Sequence, residues 1–261
     1  MSDGAYNTNL AKAQGLVPET FELLDIWRPS MSAAQLREQV QADGVLGRAS
    51  ATRIRDIVQR GFAQRYLLQR DEPALWLKQL LSSGASRSFL RQLLLIFTAR
   101  HNQVFHDFVT STYWRKVAAG TEEITKSDTR DFLEQAAARG RIAPRWSDSQ
   151  MERVTRYLLG TLEDFQMIEE NRQKKRLLRP PTIFPETVRF VAYDLHFAGR
   201  EGRQLVEHPD WQLFGLMPSD VVAQLEKEAA RGHLQVQNAG QILRIEWRYE
   251  DMQEVVNAIA H

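Results

Sequence analysis

The chain of 261 residues contains no cysteine, which excludes a disulfide framework, thiolate chemistry and any zinc site built on sulfur. Long hydrophobic runs are missing as well. The most apolar stretch, Leu93 to Phe97, is bracketed by Arg91 and Arg100 and falls far short of the ~20 residues a membrane span needs. Met1 to Gly15 is polar and mixed, without the basic, apolar and small-residue order of an export signal. A cytoplasmic protein that does not engage membranes is expected. There is no glycine-rich phosphate loop, dinucleotide fingerprint or Gly-x-Ser-x-Gly elbow, so no cofactor, no small-molecule substrate and no catalytic residue is expected.

The remaining candidates for chemistry have better structural explanations. His101 and His106 are five apart on one expected helix, a spacing that keeps them off a common face for a metal. Pro209-Asp210 with Glu226-Lys227 has the residue types of a metal-dependent nuclease, but the second pair is adjacent and lies on an expected helix. The acidic pairs Glu122-Glu123 and Glu163-Asp164 are also adjacent, so on a helix they diverge and cannot share a proton. Trp76, Trp211 and Trp247 lie in apolar patterns and are expected in cores. Trp146 precedes a helix cap and is expected to pack inward more readily than to stack on a base.

What is present is arginine. The composition is average for a globular protein, 43% hydrophobic and 26% charged, with a net charge of +1, yet arginine outnumbers lysine roughly four to one. A GC-rich genome would also produce that ratio, so placement matters more than number. Arg48 to Arg70 sets only Asp56 against six arginines, and Asn171 to Arg179 has no acid. Guanidinium groups suit bidentate contacts to phosphate and guanine, and segregated basic patches bind phosphate backbones through local potential.

The first patch lies in Ser32 to Leu67, which reads as two short helices joined by a polar turn. Ser32 caps the first, with Leu36 and Val40 apolar, and Asp43-Gly44 ends it. Ser50 caps the second, whose apolar face is Ile54, Ile57, Val58 and Phe62. Arg53, Arg55, Arg60 and, past Gly61, Arg65 are expected on the opposite, solvent-facing side. A helix–turn–helix reading a DNA groove and an ordinary helical hairpin with a solvated face both fit this pattern.

Along the chain three modules are expected, at 1–120, 121–185 and 186–261. In the first, a short apolar helix covers Phe21 to Trp27. After the helix–turn–helix, Asp71 caps a helix carrying Leu75 to Leu81. One long helix then runs from Ser88 to about Tyr113. In the second, a helix is expected over Thr125 to Ala138 with Ser127 as cap, a turn carries Arg139, Arg141 and Arg145, and Ser147 caps a longer helix. A basic hairpin containing Lys174, Lys175, Arg176 and Arg179 follows, the order of a winged helix. The third repeats that order, with a helix from Met217, a hairpin turning at Asn238-Ala239-Gly240, and a closing helix at Asp251 to Ala260. The fold class is mainly α, a helical bundle with helix–turn–helix or winged-helix-like modules and short β-hairpin wings.

The opening YNTNLAKAQGLVPET, the block LREQVQADGVLGRASATRIRDIVQRGFAQRYL, the segment LLLIFTARHNQVFHDFV and the helix WSDSQMERVTRYLLGTLEDF resemble the BrxA family of BREX bacteriophage-exclusion systems. The resemblance covers about Tyr6 to Pro185 and is weaker over the last seventy or so residues. It implies a mostly helical, non-enzymatic DNA-binding component acting beside a methyltransferase, an ATPase and other BREX proteins. It supplies no residue motif for DNA contact. The candidate contacts with double-stranded DNA come from the residues themselves: Arg48, Thr52, Arg53, Arg55, Arg60, Arg141, Arg145, Lys174, Lys175, Arg176 and Arg179. Binding through phosphates with little sequence preference is expected. A sequence-specific transcriptional regulator, a scaffold docking other defence subunits, and RNA binding by the helical bundle remain alternatives.

Overall fold

A computed structural model describes residues 5–7, 14–68, 71–239 and 242–261. It is mainly helical, with two small antiparallel hairpins. The chain forms two compact units. The first comprises Met1–Leu75 and Leu94–Pro181, the second Trp76–Leu93 and Thr182–His261. Arg70 and Gly240, part of the basic run and of the expected turn, lie outside the described residues.

In the first unit, α1 (Val17–Ile26) and α2 (Ala33–Asp43) lead to α3 over residues 51–66. Ser32 starts α2 with a full capping box to Gln35, and Gly44 at φ 64° ends it in the left-handed region that glycine adopts without strain. Ser50 caps α3, its hydroxyl accepting from the Arg53 amide at 3.2 Å. Ile54, Ile57, Val58 and Phe62 are buried as their spacing predicts. Between Asp56 and Phe62 the helix widens into a π segment.

Arg65 departs from expectation. Ile54, Val58, Gly61 and Arg65 follow the i, i+4, i+7, i+11 order of one helical stripe, so Arg65 belongs to the buried face. It is 7% exposed, and its guanidinium donates to the Gly15 carbonyl at 3.0 Å and to that of Gln14. Gly15 is held from its other side by Asp164, whose carboxylate accepts from the Gly15 amide at 2.9 Å. A Cβ at Gly15 would lie 2.6 Å from that of Asp164, so only glycine fits between them.

α4 (Glu72–Ser82) and α5 (Arg87–His101) follow. The single long helix expected to Tyr113 is interrupted. Asn102 takes φ −126° and ψ 89°, and its buried side-chain amide donates to the Thr98 carbonyl at 3.0 Å. The chain then resumes as α6 over residues 103–118, with a second π segment at Val109–Tyr113. Phe105, Phe108, Val109 and Tyr113 are buried, and Phe105 and Phe108 pack on Phe165 and Phe132.

α7 (Lys126–Ala138) is capped by Thr125 through a capping box with Asp128, not by Ser127. The earlier hydroxyl is the one whose backbone is still extended, at φ −112° and ψ 167°, as an N-cap requires. Ser147 caps α8 (Asp148–Asp164) with Gln150. β1 (Ile168–Glu170) and β2 (Arg176–Leu178) pair antiparallel with Glu170 opposite Arg176. The other edge of β2 takes a short third segment: Ile124 donates to the Arg176 carbonyl at 3.0 Å, and Leu178 to that of Glu122 at 2.8 Å.

The second unit contains α9 (Pro185–Phe197), the short α10 (Gly202–Val206) and α11 (Pro209–Gln212), and α12 (Pro218–Ala230). The hairpin β3 (Leu234–Ala239) and β4 (Ile242–Trp247) precedes α13 (Met252–Ala260), whose cap is Asp251. Arg189 is almost wholly buried, donates to Glu228 at 3.0 Å and reaches the Ala258 carbonyl at 3.2 Å, joining α9, α12 and α13. Gln92 closes the start of α9, accepting from the Phe184 amide at 3.1 Å and the Thr187 hydroxyl at 2.7 Å. Trp211 is core, as expected. Trp76 and Trp247 are only half-buried; Trp76 meets Phe190 edge-on from the middle of α4, and Trp247, the last residue of β4, meets Tyr193 edge-on.

Candidate nucleic-acid interface

The sequence-predicted cations fall mainly in two places, both in the first unit. Arg48, Thr52, Arg53, Arg55 and Arg60 lie in the α2–α3 connection and on α3, all exposed. Arg53 reaches Glu19 of α1 at 3.7 Å, and Arg60 reaches Asp56 one turn back at 3.5 Å. Arg48 and Arg55 have no carboxylate partner among the described residues.

The second group is the β1–β2 hairpin. Its tip is a fixed turn: the Asn171 carboxamide oxygen accepts from the amides of Gln173 and Lys175, both at 3.0 Å. Lys174 occupies the left-handed region at φ 63°. The candidate cations here are all paired. Lys174 and Arg176 hold the two oxygens of Glu170, at 3.1 and 3.6 Å, Lys175 reaches Glu123 at 3.6 Å, and Arg179 reaches Glu169 at 2.9 Å. The stretch from Asn171 to Arg179 has no acid of its own, yet the strand register and the 122–124 segment bring three carboxylates to it.

Arg141 and Arg145, from the α7–α8 connection, are each turned onto a helix. Arg141 pairs with Asp107 at 3.1 Å and lies over the Tyr6 ring at 4.7 Å. The Tyr6 hydroxyl donates to the same carboxylate at 2.6 Å. Burial raises the Asp107 pKa, but hydrogen bonds from His106, Tyr6 and Gln103 outweigh it and hold the carboxyl below its usual range. Arg145 bonds Glu134 at 2.6 Å but leaves 69% of its side chain exposed.

Sequence reasoning missed two cations. Arg153 and Arg156 lie on the exposed face of α8, opposite the buried Met151, Val154 and Leu158. Neither has a carboxylate partner among the described residues; Arg156 lies 5.7 Å over the Tyr157 ring. The signal is present in the sequence, since the inward positions of this helix define the outward ones. Among the described residues no group of three His, Asp or Glu side chains is placed to hold a metal, and no helix is long and apolar enough to cross a membrane.

The architecture defines a mainly helical protein with two small antiparallel hairpins. The crystal structure of an uncharacterized protein from Magnetospirillum magneticum is similar to it in fold, with a TM-score of 0.59 and 15% identity, covering 78% of this chain and 97% of that one. Comparison with curated proteins gives no match. The BrxA family model matches residues 4–193. The chain therefore belongs to the BrxA family, and that membership implies a component of a BREX phage-defence system.

Proposed function

We propose that this BrxA-family chain is a non-enzymatic accessory protein that binds double-stranded DNA, mostly through phosphates and with little sequence preference. The observation that carries the reading is the order of elements at 122–178: an edge segment, α7, α8, then the β1–β2 hairpin hydrogen-bonded back to the edge segment. That is the order of a winged helix, in which the second helix and the hairpin face the duplex. Here those two elements carry Arg153, Arg156, Lys174 and Lys175, all exposed. Arg48, Thr52, Arg53, Arg55 and Arg60 of the α2–α3 pair, also exposed, are proposed as a second set of contacts, with Arg141, Arg145, Arg176 and Arg179 as lesser ones.

The test is a mobility-shift or anisotropy titration with random duplex, operon-promoter duplex and RNA at several salt concentrations. Neutralising ~4–6 phosphates gives a slope of log affinity against log salt of about −4 to −5. Random and promoter duplexes should differ by less than tenfold. Arg153→Ala with Arg156→Ala should weaken binding on the order of tenfold and reduce the slope by about 2. A salt-insensitive affinity, or a thousandfold preference for one promoter, counts against this reading.

A second reading, docking of another protein of the same system, is favoured in the second unit by Met217 and Phe197, which are 63% and 40% exposed. Met217→Ser should then leave DNA affinity unchanged while weakening co-purification of a neighbouring defence subunit.

A further inference from the structure

Resting on the DNA-binding reading, we infer that Glu170 is an affinity-limiting residue, an internal competitor for the phosphates that the β1–β2 hairpin would otherwise hold. Its position follows from strand register and turn length. Glu170 stands directly opposite Arg176 across the β1–β2 pair, and the turn returns Lys174 to the same carboxylate. One side chain therefore occupies two cations at once, Lys174 on Oε1 at 3.1 Å and Arg176 on Oε2 at 3.6 Å. Glu169 holds Arg179 alone, and Glu123 holds Lys175 alone.

An incoming phosphate must displace the carboxylate from both cations and then lie beside a remaining negative charge. The Lys174 pair is solvent-exposed and the Arg176 pair partly so; such pairs are weak individually, so they do not block binding. They lower affinity and reduce the number of counterions that DNA displaces. Arg172, exposed at the tip, and the pair Arg153 and Arg156 have no such competitor among the described residues. Contact would begin at these free cations, with Lys174 and Arg176 joining as salt falls.

The experiment uses the full chain and a fluorescent random duplex, measuring affinity across a salt series for the parent and four variants. Glu170→Gln keeps the shape of the side chain while removing its charge. Glu169→Gln releases one cation. Glu207→Gln in the second unit removes the same charge from an exposed pair, Arg203–Glu207 at 2.6 Å, and controls for net charge. The fourth variant, Lys174→Ala with Lys175→Ala and Arg176→Ala, tests the hairpin itself, and thermal melts verify folding of each.

Glu170→Gln should bind about three- to tenfold tighter at low salt, with a salt slope steeper by about 1. Glu169→Gln should gain less, and Glu207→Gln should match the parent. If Glu170→Gln matches Glu207→Gln while the triple alanine variant loses affinity, the competitor role is overturned and the DNA-binding reading stands. If the triple variant binds like the parent, or the parent shows no salt-dependent duplex binding, the hairpin reading fails and the inference with it.

Discussion

Asp164 accepts a hydrogen bond from the Gly15 amide, and burial pushes its pKa up to about 6 against that contact. The folded protein thus holds this proton more tightly than the unfolded chain, whose carboxyl titrates in the ordinary range near 3.8. The unfavourable contribution is absent below about pH 4, grows as pH rises through about 6, and is complete above it. Asp164→Asn keeps an oxygen for the Gly15 amide and removes the charge. It should stabilise the fold by about 1–3 kcal/mol at pH 7.5 and by much less at pH 4.5, as thermal melts at the two pH values would show. Arg141→Ala strips Asp107 of its guanidinium partner and should cost roughly 1–2 kcal/mol, again read by melting. Arginines illustrate how far single residues were legible. The exposure of Arg53, Arg55 and Arg60 follows from helical spacing. The burial of Arg65 follows from the same spacing carried eleven residues on, but its carbonyl partners at Gln14 and Gly15 are fifty residues away in sequence and leave no local trace.

Among the elements, the hairpins and most caps were legible, Ser127 in place of Thr125 being the exception. Ser50, Ser147 and Asp251 begin helices as their sequences indicate, because a side-chain oxygen satisfying a free amide three residues on is a local event. Ser147→Ala should destabilise the first unit by about 1 kcal/mol, measurable by chemical denaturation. Two features were hidden. The break at Asn102 lies within continuous apolar spacing from Phe97 to Phe108, with no glycine or proline to mark it. The edge segment at 122–124 contains two glutamates and becomes strand-like only through the bonds that β2 offers it. That segment is also what carries Glu123 to Lys175, so the charge pairing of the hairpin could not be read from Asn171 to Arg179 alone.

For the whole molecule, the division into two units does not follow chain order. The second unit is assembled from Trp76–Leu93 and Thr182–His261, and within it Gln92 supplies acceptors to Phe184 and Thr187 while Trp76 meets Phe190 edge-on at 5.9 Å. The amphipathic spacing of α5 shows that it has an apolar face, but periodicity does not record which distant segment meets that face. A fragment of residues 182–261 lacks these partners and should show no cooperative melting transition, whereas adding a peptide spanning residues 76–93 should restore one. Circular dichroism on the two samples distinguishes these outcomes.

Synthesis on the ribosome gives this arrangement a temporal side. After Leu93 is made, the 88 residues before Thr182 must be translated before the rest of the second unit begins to emerge, roughly 4–18 s at ordinary elongation rates. Through that interval Leu80, Leu90 and Leu93, all buried in the finished protein, wait on a nascent chain without the C-terminal segment they fold with. The first unit can assemble meanwhile, since its last residue, Pro181, precedes that segment. The waiting stretch is therefore where a nascent-chain chaperone would find its apolar target, and the order of synthesis makes the second unit the last to mature.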